Sequence, residues 1–195
     1  MIIKKHLDLG CGEKPFNPYR HQTVTGIDLY QSDKLPADVE FKSANLSVEK
    51  IPFADNSFDS ISAFDLIEHI PRVLQNSQNQ TYFPFIDLMS EIFRVLKPGG
   101  RFYALTPAYP CGEAFQDPTH VNIITNKTHR YFSGDAPYAR LYGFVGDFEV
   151  IRVQWMHPKN ALTAEWSFRK TLRLIARFIT FKKRTHLLWE LQAKK

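Results

Sequence analysis

The chain has 195 residues, 44% apolar and 23% charged, with a formal net charge of +5. That length suits one domain, residues 1–195, with a full core, and that composition excludes a disordered or low-complexity chain. Two cysteines, Cys11 and Cys111, exclude a disulfide framework and a cysteine zinc module, and no run approaches the ~18 apolar residues of a membrane span. The opening MIIKKH lacks the apolar core of a secretory signal, so a cytoplasmic location is expected.

In chain order, Ile2 to Leu9 is predicted as a strand interrupted by Lys4 and Lys5. Thr23 to Leu29 is a second strand, and Val39 to Lys42 a short third. A turn at Asp55-Asn56-Ser57 precedes a fourth strand, Phe58 to Phe64. Phe85, Leu88, Met89, Ile92, Val95 and Leu96 recur near a 3.6-residue period, which predicts a helix over Gln80 to Leu96. The "KPGG" that follows stops it. "RFYALTP" is a fifth strand and "FEVIRVQWM" a sixth. Residues 162–180 read as a helix, and "THLLWELQA" as a last strand. Strands alternating with helical stretches predict a parallel α/β sheet, and no linker divides residues 1–107 from 108–195.

The first strand runs into "HLDLGCG", residues 6–12. Gly10 and Gly12 let the backbone turn sharply and let a ligand approach. Asp28 closes the second strand 16 residues after Gly12 and can accept hydrogen bonds from both hydroxyls of a ribose. So far a nicotinamide dinucleotide and S-adenosylmethionine fit equally. A pyrophosphate, however, needs a third glycine and a helix N-terminus aimed at it. Here Pro15 stands where that glycine belongs, and Glu13 adds negative charge beside the turn. Only 13 residues separate Gly12 from Gly26, so the first crossover helix is short or missing. The combination favours a cationic sulfonium over a pyrophosphate.

The four blocks "HLDLGCG", "VTGIDLY", "SANLSVEKIPFADNSFDSISAFDLIEHI" and "EIFRVLKPGGRFYALTP" resemble, in order and spacing, a small class I S-adenosylmethionine-dependent methyltransferase over residues 5 to 107. The resemblance implies a Rossmann-like doubly wound sheet of about seven strands, the last antiparallel, with helices on both faces. It implies S-adenosylmethionine as cofactor, with residues 1–107 as the cofactor half and 108–195 as the substrate half. Carried over, Gly10, Cys11 and Gly12 pass the methionine part, and Asp8 fixes the loop or receives the ammonium through water. Asp28 holds the ribose and Leu29 lies against the adenine. Asn45, with Leu46, reads the adenine amino group or is a turn residue. Phe64 and Asp65 line the methionine end, Asp65 doubling as a helix N-cap.

On the substrate side, "FQDPTHVNIIT" (115–125) follows the fifth strand. Its His120 can take a proton from an acceptor hydroxyl, or it is a structural histidine bonded to its own loop. Asp117 is its neighbouring acid, and His69 points at the cleft or at the core edge. The spacing of Asp117, His120 and His69 matches no local metal signature, so no metal is expected. The expected reaction is methylation of a small molecule or glycan, with oxygen as the expected acceptor atom. The alternatives are a cofactor-binding, partner-dependent subunit, or a nucleic-acid or membrane-associated substrate. The first strand starts almost at Met1 without a helical lid, which motivates the partner. Arg169, Arg173 and Arg177 form a stripe in a basic helix over 164–184, either a solvated face or a peripheral membrane contact. Phe64-Asp65-Leu66-Ile67 lacks the Pro-Pro-aromatic turn of amino-directed base methylation, so nucleic acid is not favoured.

Overall fold

Near-continuous buried runs make the central strands, and the computed structural model describes the chain over residues 3–165 and 184–195. In chain order they are β1 (Lys5–Leu9), β2 (Thr23–Asp28), β3 (Glu40–Ser43) and β4 (Phe58–Phe64). A small hairpin of β5 (Leu74–Gln75) and β6 (Thr81–Tyr82) leads to α1 (Pro84–Val95) and β7 (Leu96–Pro107). Then come α2 (Glu113–Gln116), β8 (Phe148–Met156), α3 (Pro158–Ala161) and β9 (His186–Ala193). The order across the large sheet is β3-β2-β1-β4-β7-β9-β8. β9 pairs antiparallel with both β7 and β8, and the other neighbours are parallel. The predicted Rossmann-like sheet with an antiparallel last strand is therefore the observed one.

Successive residues of β7 and β9 divide the core in two. Phe102, Ala104, Trp189 and Leu191 join the larger cluster with Leu88, Met89 and Ile92 of α1. Tyr103, Leu105 and Leu188 join a smaller cluster with Phe64 and Ala161. That smaller face carries the one-turn α3, and the β1–β2 connection crosses the sheet as a helix-free loop. Phe16 of this loop stacks on Phe64 with ring centroids 4.1 Å apart, and the Tyr19 hydroxyl donates to Glu190 Oε1 at 2.8 Å. Two aromatic rings thus cover apolar surface that a crossover helix would otherwise bury.

α1 starts at Pro84, four residues later than Gln80, because Thr81–Tyr82 pairs with Leu74–Gln75. A proline has no N–H to lose in a first helical turn, so Pro84 suits that start. The helix ends at Val95, and Leu96 and "KPGG" already belong to β7. Arg94 ties α1 to the β3–β4 connection, donating to the carbonyls of Ile51 and Phe53 and to Asp55. The predicted basic helix falls mostly outside the described residues; its stripe Arg169, Arg173 and Arg177 lies there entirely.

Gly26 of β2 packs directly on the first turn: a Cβ there would lie 2.6 Å from Cys11 Sγ and 3.0 Å from Cys11 Cβ. Gly26→Ala should destabilise the fold by about 1–3 kcal/mol in denaturant titrations, as overpacking does. Adding Cys11→Ala should recover part of that loss; an unchanged loss would mean that the thiol is not the obstacle.

Candidate functional site

In an open α/β sheet, ligands bind at the carboxyl ends of the strands where the strand order reverses. Here that point lies between β1 and β4, because β2 and β3 add on one side of β1 and β4 on the other. Gly10 and Gly12 turn there with φ of +68° and +52°. The N–H groups of Gly10 and Cys11 both donate to the Ile27 carbonyl, and Gly12 N donates to Asp28 Oδ2 at 2.9 Å. Asp28 Oδ1 accepts from Leu29 N at 2.7 Å. Each carboxylate oxygen keeps an unused lone pair. A Cβ at Gly12 would meet nothing within 4 Å, so the turn faces open space. Leu29 and Tyr30 stand exposed beside it, at 50% and 84%.

Beneath the turn lies a closed polar network. Asp8 is fully buried; its Oδ2 accepts from Phe16 N at 2.8 Å and its Oδ1 from the Ser62 hydroxyl. His6 Nε2 donates to the Phe16 carbonyl at 2.8 Å, and its Nδ1 meets the Ser60 hydroxyl at 2.7 Å. Burial pushes the Asp8 carboxyl up to about 7 and the His6 imidazole down to about 3. Of the two roles expected for Asp8, fixing the loop is the one these bonds serve. Cys11 is buried against Gly26, and burial pushes its thiol up to about 12, which leaves it inert as a nucleophile.

A second cluster stands at the carboxyl ends of β4 and β7. After β4, Asp65 takes φ +47°, and a 3-10 turn over Ile67–His69 follows. Leu66 occupies the N-cap position of that turn and no side chain caps it, so Asp65 is not the cap that the sequence suggests. Its Oδ1 instead lies 3.2 Å from His186 Nε2. Glu68 is 1% exposed; its Oε2 accepts from the Thr106 hydroxyl at 2.8 Å. Its Oε1 is buried without a hydrogen-bond partner among the described residues. Burial raises this carboxyl to about 8.

The loop after β7 is stitched onto this turn. Val121 N and Asn122 N donate to the Glu68 carbonyl, and Asn122 Nδ2 donates to the Ile67 carbonyl at 3.0 Å. His120 and His69 thereby meet edge to face, with ring centroids 4.8 Å apart. Asp117 Oδ1 accepts from the Thr119 hydroxyl at 2.7 Å, and that hydroxyl lies 3.0 Å from His69 Nδ1. The Thr119 bonds hold the part-exposed Asp117 carboxyl below its usual range. His120 Nδ1 lies 3.3 Å from the Ala114 carbonyl.

The fold therefore brings together His69, His120 and Asp117 in one place, and Gly10, Gly12, Asp28 and Leu29 in another. The two meet at Leu66, whose Cδ1 would lie 3.1 Å from a Cβ on Gly10. Of the remaining expected residues, Asp8, Cys11, Leu46 and Phe64 are buried, while Asn45 and Asp65 are exposed. Phe64 is covered by Phe16, and Leu46 belongs to the core. Asn45 is exposed in a turn, where its Oδ1 accepts from Ser47 N at 3.1 Å. Glu68, Thr106, Thr119 and His186 were not singled out by the sequence reading. The pair Glu68-His69, shortly after β4, and the pair Thr119-His120, in the loop after β7, are the signal that points to Glu68 and Thr119.

The family described as a methyltransferase domain matches residues 7–104. The methyltransferase phqN of Penicillium fellutanum is 27% identical over 133 residues, 62% of this chain and 37% of that protein. The botryococcene C-methyltransferase of Botryococcus braunii is 30% identical over 135 residues, 62% of this chain and 32% of its own. The ubiquinone/menaquinone biosynthesis C-methyltransferase UbiE of Brucella canis is 38% identical over 68 residues, 35% and 20% of the two chains. The chain thus spans 20–37% of the length of these relatives. Among solved structures, a chain of the Haloferax volcanii complex that holds the Trm112 methyltransferase activator aligns with a TM-score of 0.57 at 17% identity, covering 99% of this chain and 84% of that one. An S-adenosylmethionine-dependent methyltransferase from Archaeoglobus fulgidus gives 0.56 at 13%, over 97% and 86%. At such identities the structures share the fold.

The Asp8 network has a pH signature. Because the folded carboxyl is raised to about 7, the folded protein holds this proton more tightly than the unfolded chain. Its contribution to stability is complete below the unfolded value and is lost as pH rises through about 7. Asp8→Asn keeps the shape and removes the charge. From pH 5 to pH 8 it should gain about 2–3 kcal/mol relative to the wild type in urea titrations. A difference that does not change with pH would show that Asp8 ionises as easily folded as unfolded.

Proposed function

The chain belongs to the methyltransferase-domain family, and from that premise we propose that it transfers a methyl group from S-adenosylmethionine to a hydroxyl of a small molecule or glycan. S-adenosylmethionine is the cofactor that this domain implies, and the residues present fit it. The Gly10–Gly12 turn opens onto space that a side chain at Gly12 would enter, and Asp28 retains acceptor capacity for ribose hydroxyls. Leu29 and Tyr30 offer exposed apolar surface for a base. The cofactor supplies an activated methyl group, so little covalent chemistry falls to the protein.

The single observation that carries the reading is continuity: the glycine turn touches Leu66, and two residues further on Glu68 and His69 open the cluster with His120. A cofactor site and a polar acceptor site thus share one edge of the sheet. In this reading the chain lines up the acceptor and takes its proton. His69 and His120 each direct Nδ1 toward an oxygen, of Thr119 and of the Ala114 carbonyl, which leaves Nε2 as the acceptor for a hydroxyl proton. Asp117 acts through Thr119 as a positioning residue. Proximity of acceptor and methyl group supplies the larger share of the rate.

A second reading, methylation at carbon, draws on the names of two relatives, the botryococcene and the ubiquinone/menaquinone C-methyltransferases. An imidazole that deprotonates a hydroxyl serves carbon methylation as well when that hydroxyl activates a neighbouring carbon.

The test begins with calorimetric titration of S-adenosylhomocysteine into the wild type and Asp28→Ala. Micromolar binding that the variant weakens at least tenfold, about 1.4 kcal/mol, is expected. Turnover of hydroxylated acceptors with methyl-labelled cofactor, read by carbon NMR, separates an oxygen-bound from a carbon-bound methyl. His120→Ala should lower kcat about a hundredfold, within the usual range for a general base, while S-adenosylhomocysteine affinity stays constant. Absence of binding to the wild type would overturn the reading.

A further inference from the structure

We propose that Glu68, His69 and His120 form a binding site for a divalent first-row transition cation of the zinc or ferrous class. One ligand atom from each residue lies within 4.8 Å of the other two. A tetrahedral ion with bonds of about 2.1 Å holds its ligand atoms about 3.4 Å apart, so the set draws in by at most about 1.4 Å when the ion binds. The donor chemistry is specific. Two imidazole nitrogens and one carboxylate oxygen match both three-ligand zinc centres with an open position and the two-histidine, one-carboxylate ferrous site. Magnesium prefers an all-oxygen shell and keeps its waters.

Three further features point to an ion. Glu68 is 1% exposed, and its Oε1 is buried without a partner among the described residues. An orphaned buried carboxylate oxygen is costly, and a cation would satisfy it. The Ala114 carbonyl can only accept, so His120 Nδ1 carries the proton and its Nε2 presents a lone pair. The Thr119 hydroxyl donates to Asp117 and so accepts from His69 Nδ1, which frees His69 Nε2 in the same way. Outer partners that orient imidazoles like this are a regular part of metal sites. The Thr106 hydroxyl meanwhile holds the other Glu68 oxygen. With the ion bound, the imidazoles are ligands, and the ion acidifies an acceptor hydroxyl in place of a base. That catalytic role rests on the methyltransferase reading; binding of the ion does not.

The experiment is calorimetric titration of Zn²⁺ into the chelator-treated, dialysed chain, with Co²⁺ followed by its visible absorption and Mg²⁺ in parallel. One Zn²⁺ per chain at micromolar affinity is expected, with no comparable Mg²⁺ binding. His69→Ala, His120→Ala and Glu68→Gln should each weaken Zn²⁺ at least tenfold, and Thr119→Val about tenfold through the His69 orientation. His157→Ala, outside the cluster, should leave the affinity unchanged. If Glu68→Gln fails to fold, as a thermal melt would reveal, the two part-exposed histidine variants decide. No saturable Zn²⁺ binding, or binding unaffected by either histidine variant, overturns the site. Titrating S-adenosylhomocysteine into the same samples reads the cofactor turn separately. Ion binding without it removes the methyltransferase reading and keeps the ion site; the reverse outcome removes the ion site alone.

Discussion

The carboxyl end of this sheet depends on one buried carboxyl group. Asp8 lies under the glycine turn and holds the Phe16 amide and the Ser62 hydroxyl at once. A loop without helical hydrogen bonds needs other partners for its backbone groups. Asp8 takes the Phe16 N–H, and His6 takes the Phe16 carbonyl. Once Phe16 is pinned at both groups, its ring lies on Phe64 and Tyr19 reaches Glu190. The connection then covers the sheet as a helix would, and its glycines are held at the strand ends. The cost is a carboxyl and an imidazole that both favour their neutral forms.

The same edge carries two chemically different clusters because β1, β4 and β7 end side by side. On the β1–β2 side the backbone does the work: two positive-φ glycines and a turn tied to Ile27 and Asp28. On the β4–β7 side the side chains do, and their placement comes from backbone bonds between Glu68 and residues 121 and 122. Those bonds lay the loop after β7 across the 3-10 turn after β4. Leu66 sits between the two clusters, packed against Gly10.

The family match cuts across this division. The family match covers residues 7–104, which hold the glycine turn, Asp28 and the Glu68-His69 pair, and stops short of His120. Two of the relatives, the botryococcene and the ubiquinone/menaquinone biosynthesis C-methyltransferases, carry the names of unlike molecules, and this chain spans a minor part of each. A shared sheet with a shared turn is compatible with many acceptors, since function resides in the groups set on the fold.

Local patterns in the sequence determined the central strands, α1 and the turn, because short apolar runs, a 3.6-residue apolar period and paired glycines are properties of neighbours. The edges of elements moved where non-local pairing intervened: Thr81–Tyr82 joined Leu74–Gln75 and delayed α1 to Pro84. Asp8 and Asp28 both end strands in the sequence and read alike, but only the tertiary structure buries one and leaves the other beside open space. Phe64, read as a pocket lining, was claimed by Phe16, because the helix-free crossover lays an aromatic ring over it. His69 and His120 are visible as histidines, yet nothing local says that they meet, or that Glu68 is buried beside them with a free oxygen. Fifty residues of chain separate the two histidines. Their contact is made by strands β4 and β7 lying in register and by the hydrogen bonds of a loop that neither strand encodes.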